Sequence, residues 1–356
     1  MKKLLFCIGT RPEAIKLAPL IIEAKSRGFL TTVVTTGQHK ELLGAFLQFF
    51  KIQPDYELNV LSPNQSLAAL SAKILTEFAP VLLTVNPDFV ITQGDTSTAL
   101  ICSLASFYQK TPVVHVEAGL RTHDPYSPFP EEMNRKLIGS LAHLHFAPTE
   151  AAKENLSQEG IHKNVWVTGN TGVDALRITL QNLPQTEVST KKRILMTCHR
   201  RENHGEPLER ICRAVKTILD QHPDAELIFP VHPNPNIKEK VQGLLGSHER
   251  VKLVTPLGYF EFAEEMNKAY LILTDSGGVQ EEAPYLKKPI FVLRESTERP
   301  EGVSAGVAKL VGSDEKLIIE SVGRALTDPT YYQSFQKSVS PYGDGFASKR
   351  ILDAMM

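Results

Sequence analysis

Short apolar runs alternate with amphipathic stretches along nearly the whole chain, and few folds accommodate that alternation. Leu4 to Ile8, Thr32 to Thr35, Phe89 to Thr92, Val113 to Val116 and His145 to Ala147 have the length and composition of buried strands. Between them, residues 14–25, 40–50, 67–85 and 98–108 carry helical spacing. A second series follows: Ile194 to Thr197, Leu227 to Pro230, Val251 to Val254, Leu271 to Thr274 and Ile290 to Leu293, separated by helical segments such as Leu208 to Asp220. Strands apolar on both faces, with helices between them, specify a parallel, doubly wound sheet. Two such series predict an α/β chain of two Rossmann-like domains, which 356 residues suit. The polar, aperiodic segment Asn182 to Lys192 reads as a linker or exposed crossing, so the boundary is expected between Gly169 and Lys192.

Composition narrows the setting. A net charge of -1 and a pI near 6.8 supply no global field for nucleic acid or anionic membrane, so any basic site is local. Four cysteines without a CxxC pair read as reduced core residues of a cytoplasmic protein. The opening MKKLLFCIGTRPE resembles a signal peptide only as far as Ile8, where charge and proline interrupt it. No later segment approaches ~18 uninterrupted apolar residues, so no membrane insertion is expected.

The densest chemistry lies in PVVHVEAGLRTHDPYSPFPEEMNR, Pro112 to Arg135. Val113, Val114 and Val116 flank His115 in a buried strand, which puts Glu117 at its carboxyl end, where open α/β sheets bind ligands. The proline-rich segment after it must be irregular, and Pro130 precedes Glu131, Glu132, Asn134 and Arg135 at a helix start. Glu131 is thereby brought back toward Glu117. The plainer alternative has Glu131 and Glu132 complementing a helix dipole and Glu117 pairing with Arg121. The three carboxylates together favour chemistry.

Other strand ends repeat the theme. Gly9, Thr10, Arg11 and Pro12 follow the first strand, with Lys16 a turn into the helix, and offer backbone N–H groups and two cations to an anion. This is not GxGxxG, so dinucleotide binding has little support. Asp95 of Gly94-Asp95-Thr96 is either a helix cap or a catalytic carboxylate. In the second half Ser276, Gly277 and Gly278 end a strand and open a helix, a cradle for a diphosphate, with Glu282 a turn below as a ribose acceptor and Arg294 and Arg299 as cations beside it. His199 with Arg200 and Arg201, and His232 of PVHPNP, sit on the same rim. His143 and His145 read as core, and no histidine pair has trusted metal-ligand spacing.

These residues carry a resemblance. GTRPEAIKLAPL, TGQH, QGDTSTAL, HVEAGLRT, PFPEEMNR, TGNTGVDAL, HRREN, PVHPNP, DSGGVQEEAPYLKKP, TERPEGV and PYGDG, in register from Gly9 to the C-terminus, resemble the non-hydrolysing UDP-N-acetylglucosamine 2-epimerases. The resemblance implies the GT-B-like fold shared with many nucleotide-sugar glycosyltransferases, with a last helix crossing back: domains 1–171 plus 345–356, and 172–344. It implies reversible conversion of UDP-N-acetylglucosamine to UDP-N-acetylmannosamine, a precursor of bacterial surface polysaccharide, without cofactor or metal, and the expected assembly is a homodimer. Matched by motif, Asp95, Glu117, Glu131 and His199 are catalytic, and Arg11, Lys16, Phe262, Ser276, Gly277, Gly278, Glu282 and Arg299 bind UDP-sugar. A second, activating substrate site in some members matches at Gln38, Glu131, Arg200 and His232 but departs at Glu41 and Asn64, which puts activation in question.

The C2 hydrogen of the sugar is not adjacent to a carbonyl, so direct deprotonation would be slow. Departure of UDP from C1 acidifies C2, a carboxylate takes the proton, and 2-acetamidoglucal remains beside UDP until re-addition. Several groups are candidates for the two faces, and closure of the halves about Gly169 to Lys192 and the crossing before Gly345 is expected to exclude water. The alternatives are a hydrolysing epimerase, a glycosyltransferase of the same fold, and a UDP-sugar sensor; the carboxylate-rich first half argues against the last two.

Overall fold

A computed structural model describes residues 1–37, 40–62, 64–184, 191–336 and 340–356, and the chain divides into two compact units, Met1–Ala175 with Gly343–Met356, and Leu176–Tyr342. The first is built on strands β1 (Lys3–Ile8), β2 (Leu30–Thr35), β3 (Tyr56–Glu57), β4 (Phe89–Gln93), β5 (Val113–Val116), β6 (Leu144–Ala147) and β7 (Val165–Val167). They form one parallel sheet in the order β3-β2-β1-β4-β5-β6-β7. Helices α1 (Arg11–Ser26), α2 (Lys40–Phe49), α3 (Leu67–Val85), α4 (Ser97–Tyr108), α5 (Glu131–Leu141), α6 (Glu150–Gln158) and α7 (Thr171–Asn182) connect them. The order reverses between β1 and β4, and such a switch point opens a crevice at the carboxyl ends of the strands.

The second unit repeats the plan. Strands β8 (Lys192–Thr197), β9 (Ala225–Pro230), β10 (Val251–Val254), β11 (Leu271–Thr274), β12 (Ile290–Val292) and β13 (Ala308–Leu310) run parallel in the order β10-β9-β8-β11-β12-β13, so its switch point lies between β8 and β11. Its helices are α8 (Glu206–Gln221), α9 (Pro235–Leu245), α10 (Tyr259–Lys268), α11 (Gly277–Glu282), α12 (Pro300–Ser304), α13 (Glu315–Thr327) and α14 (Pro329–Ser334). Ile194, Met196, Leu271 and Leu273 join one hydrophobic cluster while Leu195 and Ile272 join another. Alternate residues thus enter cores on opposite faces, which is why these strands read as continuous apolar runs.

The chain then returns to the first unit in α15 (Ala347–Met355). Its first amides, Ala347 N and Ser348 N, donate to the two oxygens of buried Asp174, and Arg27 of α1 pairs with Asp353 at 2.6 Å. Gly343 has φ +117, and a Cβ there would lie 3.2 Å from Gly169 Cα, so only glycine makes this crossing without strain. The unit boundary falls inside α7, between Ala175 and Leu176. Of the expected hinge segment, residues 185–190 lie outside the described residues.

α3 is long and apolar enough to cross a membrane by length and composition, with mean hydropathy 1.5, although Lys73 and Glu77 interrupt it. Its inner residues Ile74, Phe78, Val81 and Leu82 enter the core with Leu5 and Val90. Only 22% of the apolar window is buried, so a broad apolar face stays outside.

Candidate active site

Each switch point gathers charged side chains, and each rim is held by a buried carboxylate that the sequence did not single out. In the first unit, the turn from β1 into α1 brings Gly9 against α4: a Cβ at Gly9 would lie 2.3 Å from Thr98 Oγ1. The amides of Gly9 and Thr10 do not face outward to an anion, as the sequence suggested. They donate to Oε2 of Glu13, at 3.0 and 2.6 Å, and the Thr10 hydroxyl donates to the same oxygen at 2.8 Å. Thr10 and Glu13 form a capping box, in which the helix uses its own N3 carboxylate in place of an external ligand. Arg11 stays exposed at the helix start.

Lys16, a turn further along, donates to both oxygens of Glu117, at 2.7 and 2.5 Å, and Gln93 at the end of β4 donates to Glu117 Oε2 at 2.5 Å. Glu117 is nearly buried and has φ +64, a left-handed conformation that costs a non-glycine residue about 1–3 kcal/mol. That cost turns the chain out of β5 at the rim and aims the carboxylate beside the end of β4. Arg121, the alternative partner for Glu117, pairs with Glu159 at 2.6 Å.

Asp95 lies two residues past β4, whose Gln93 is in register with Val116, so Asp95 and Glu117 end neighbouring strands. Arg135 Nε donates to Asp95 Oδ2 at 2.7 Å, and Asn134 Nδ2 donates to the Asp95 carbonyl at 2.8 Å. The helix cap at this turn is Thr96, which accepts from Ala99 N, so Asp95 is released from that role. Glu132 is fully buried, accepting from the amides of Thr122 and His123 and from Arg135. Burial alone would raise its pKa; the two amides and the Arg135 charge outweigh it and hold the carboxyl below the ordinary range. Glu132 thus ties the proline-rich loop to α5. Its neighbour Glu131 is half-buried, with no hydrogen bond or ion pair among the described residues.

Beneath this rim His115 Nε2 donates to the Gly94 carbonyl at 2.8 Å, and burial pushes its pKa down to about 3. His145 is likewise core, pushed down to about 4 by burial, but His143 is exposed, contrary to its apolar context.

In the second unit Asp275, at the end of β11 and wholly buried, accepts through Oδ2 from His199 N, Arg200 N and Asn203 Nδ2, at 2.8, 2.8 and 3.0 Å. It sets the turn that presents His199, whose pKa is lowered by burial of part of the ring and by His232, against the opposing pull of Asp275. The His199 and His232 rings stand 6.2 Å apart, with His204 6.1 Å beyond His232. Ser276 caps α11, its amide donating to Thr274 Oγ1 at 3.0 Å. The Arg299 guanidinium lies 3.8 Å from where a Gly277 Cβ would be, held there by buried Glu281. Arg294 is engaged by Glu202 at 2.6 Å. Phe262 is half-buried against the core, Gly278 is exposed, and Glu282 lies near Tyr259 in the same unit. Gln38 lies outside the described residues, and Asn64 is exposed with φ +57.

Glu13, Asp275 and Glu281 were not assigned a site by sequence reasoning, and Glu132, grouped there with Glu117 and Glu131, is buried and ties the loop to α5. The Thr10-x-x-Glu13 spacing is a capping-box signature and would have found the first. The others are visible only once the chain is folded.

Two parallel Rossmann-like units of this kind define a GT-B-like α/β protein, as in its solved structural neighbours. The model of the UDP-N-acetylglucosamine 2-epimerase family matches residues 22–356, and the chain belongs to that family. A UDP-N-acetylglucosamine 2-epimerase of Yersinia pestis is 47% identical over 368 residues, covering 99% of this chain and 98% of that protein. The Escherichia coli K12 protein of the same name matches equally, at 47%. The structure of the Neisseria meningitidis UDP-GlcNAc 2-epimerase bound to UDP-GlcNAc superposes with TM-score 0.87 at 45% identity, covering 99% of both chains. That of Methanocaldococcus jannaschii UDP-GlcNAc 2-epimerase, in complex with UDP-GlcNAc and UDP, superposes with TM-score 0.78 at 37% identity, again over 99% of both.

Proposed function

We propose that the protein interconverts UDP-N-acetylglucosamine and UDP-N-acetylmannosamine by elimination and re-addition of UDP, without hydrolysis. The observation that carries this reading is the Glu117 carboxylate, strained outward at the rim, gripped by Lys16 and Gln93, and set on the strand next to Asp95. The C1–O bond breaks and its electron pair leaves with UDP. A carboxylate takes the C2 proton and the C1–C2 double bond of 2-acetamidoglucal forms. Protonation of C2 from the opposite face and return of UDP to C1 complete the epimer. Asp95, Glu117, Glu131 and His199 are the candidates for proton transfer. The second unit supplies the leaving-group side: Ser276, Gly277, Gly278 and Arg299 for the diphosphate, Glu282 for ribose hydroxyls and Phe262 for the base, with Arg11 from the first unit. Lys16 has its charge committed to Glu117 in this structure, so its role toward UDP follows on that pair opening.

Proton NMR of the protein with UDP-N-acetylglucosamine in deuterated water tests the reading. UDP-N-acetylmannosamine carrying deuterium at C2, with no added NAD, is expected. Accumulation of free N-acetylmannosamine and UDP would replace it with the hydrolysing reading.

A homodimer through α3 and α4 completes the proposal. Leu67, Leu83, Phe107 and Tyr108 on these two packed helices are 45%, 71%, 59% and 65% exposed. An apolar face of this extent is a feature of association surfaces. Sedimentation should show a dimer that Leu83→Glu with Phe107→Glu converts to monomer; a monomeric native chain rules it out.

A further inference from the structure

Glu13 contributes no group to the chemistry described above, yet it is 1% exposed and touches both turns of the first switch point. Its Oε2 takes the amides of Gly9 and Thr10 and the Thr10 hydroxyl; its Oε1 takes the Thr96 hydroxyl at 2.7 Å. Thr96 in turn accepts from Ala99 N at 3.0 Å, so its single proton is committed to Glu13. One turn bears Arg11, the other Asp95.

We propose that Glu13 is a positioning residue for the epimerisation: through Thr96 it ties the turn that carries Arg11 to the turn that carries Asp95, and its charge state sets whether that tie holds. With Oε2 filled by three donors, an added proton goes to Oε1. The Thr96 hydroxyl then receives two donors, its own proton has no acceptor, and the bond that located Asp95 reverses. Burial raises the Glu13 pKa to about 7, against the bonds from Thr96, Thr10 and Gly9, which puts this reversal within the working range of a cytosolic pH. The surrounding titratable groups do not take over the titration. Cys7 on β1 is pushed up by burial and stays a thiol. Lys16, on the same helix, is paired with Glu117, and Asp95 with Arg135. Arg11 is exposed, and the Arg27–Asp353 pair lies at the far end of α1.

The inference rests on the epimerase reading, and the test separates the two. Loss of one hydrogen bond to a charged group corresponds to roughly tenfold, so Glu13→Gln, which keeps an acceptor for Gly9 and Thr10 but presents a donor to Thr96, should lower kcat/KM about tenfold at pH 8. It should also remove the limb of the pH–rate profile with midpoint near 7. Thr96→Val should cost the same, Thr96→Ser should restore wild-type kinetics, and Glu13→Gln with Thr96→Val together should cost no more than either alone, as expected of one shared interaction. In the unaltered protein, carbon NMR should follow the Glu13 carboxyl through its titration near 7, with no turnover required. An active wild type with an unchanged profile in Glu13→Gln, additive losses in the double variant, or a Glu13 titrating in the ordinary carboxylate range overturns the inference. Should Glu13→Gln fail to fold, Thr96→Val decides: kinetics like wild type overturn it. A wild type that yields no epimer fails the epimerase reading instead.

Discussion

At the switch point of the first unit Lys16 holds Glu117 and Arg135 holds Asp95, whereas at that of the second the buried Asp275 holds the backbone of His199 and Arg200, and Glu281 holds Arg299. The Asp95 and Arg299 pairs are inverted: Arg135 is the more buried member of the first and Glu281 of the second. On the proposed reading, the first rim presents the carboxylates Asp95 and Glu117 to a developing cationic sugar and its proton, and the second presents Arg299 to a diphosphate. One βαβ plan, built twice, thus ends in two different sets of charged groups, although Glu117 and Glu281 are each more buried than the cation they pair with. The surfaces differ as well: every large hydrophobic side chain exposed among the described residues belongs to the first unit, which is where the proposed dimer face lies.

The largest effect should come from neutralising the first rim. Asp95→Asn, Glu117→Gln or Glu131→Gln should each lower kcat by about 10²-fold or more while UDP binds as before, since general acid and base groups contribute that much. Near-normal turnover in all three would reduce the rim to structure. Next comes the second rim. Arg299→Ala should weaken UDP binding by about tenfold to a hundredfold, the worth of a charged hydrogen bond, with little change in kcat at saturation. It also removes the Arg299 partner of buried Glu281, so the melting temperature should fall. Arg299→Ala with Glu281→Ala should recover the melting temperature and not the affinity; recovery of both would show that Arg299 serves folding alone. Smaller again, Asp275→Asn should lower kcat about tenfold by loosening the His199 turn while UDP affinity stays within about threefold. A fall confined to UDP affinity would place Asp275 with the diphosphate cradle and not with His199.

How much of this the sequence made legible depends on what each residue answers to. The central strands and the long helices were recognisable because apolar periodicity is local: Val113–Val116 and Leu271–Thr274 fall where expected, as does Val251–Val254, an edge strand of four residues. The other edge strands, Tyr56–Glu57, Val165–Val167 and Ala308–Leu310, were not, since two or three residues are too few to show a period. Rim positions followed from strand ends, so Asp95, Glu117 and His199 were visible as candidates. Their partners were not. Lys16 meets Glu117 across 101 residues, and Asp275 meets the His199 amide across 76, separations that no window of sequence contains. The Gly9–Thr10 turn was misread as an open anion site because a strand-to-helix turn and a capping box look alike until Glu13 is seen to fill it.

The smallest effect sharpens the comparison through stability. The first unit buries His115, His145 and Glu13; in the second, burial moves Cys198, Cys212, Tyr332 and Tyr342 upward, so they stay neutral throughout, and lowers His199 at the rim. His115 and His145, lowered to about 3 and about 4, resist protonation in the fold but accept a proton near pH 6.5 once unfolded. The unfolded state therefore binds more protons, and their contribution is fully present above pH about 6.5 and lost as pH falls toward 4 and then 3. Glu13, raised to about 7, has the opposite sign: its contribution is present below about 4.5 and lost as pH rises to 7. Between 4.5 and 6.5 two histidines oppose one carboxyl, so the net is a loss on acidification of at most about 1.4 kcal/mol per pH unit, with a maximum near pH 6.5. Hydrogen exchange should show it locally. Amides of β5 and β6 should lose protection from pH 6.5 to 4.5 ahead of those of β9 and β11 after correction for intrinsic rates, and His145→Asn should flatten the fall. Equal losses in both sheets would mean that the acid sensitivity is not seated in these buried histidines.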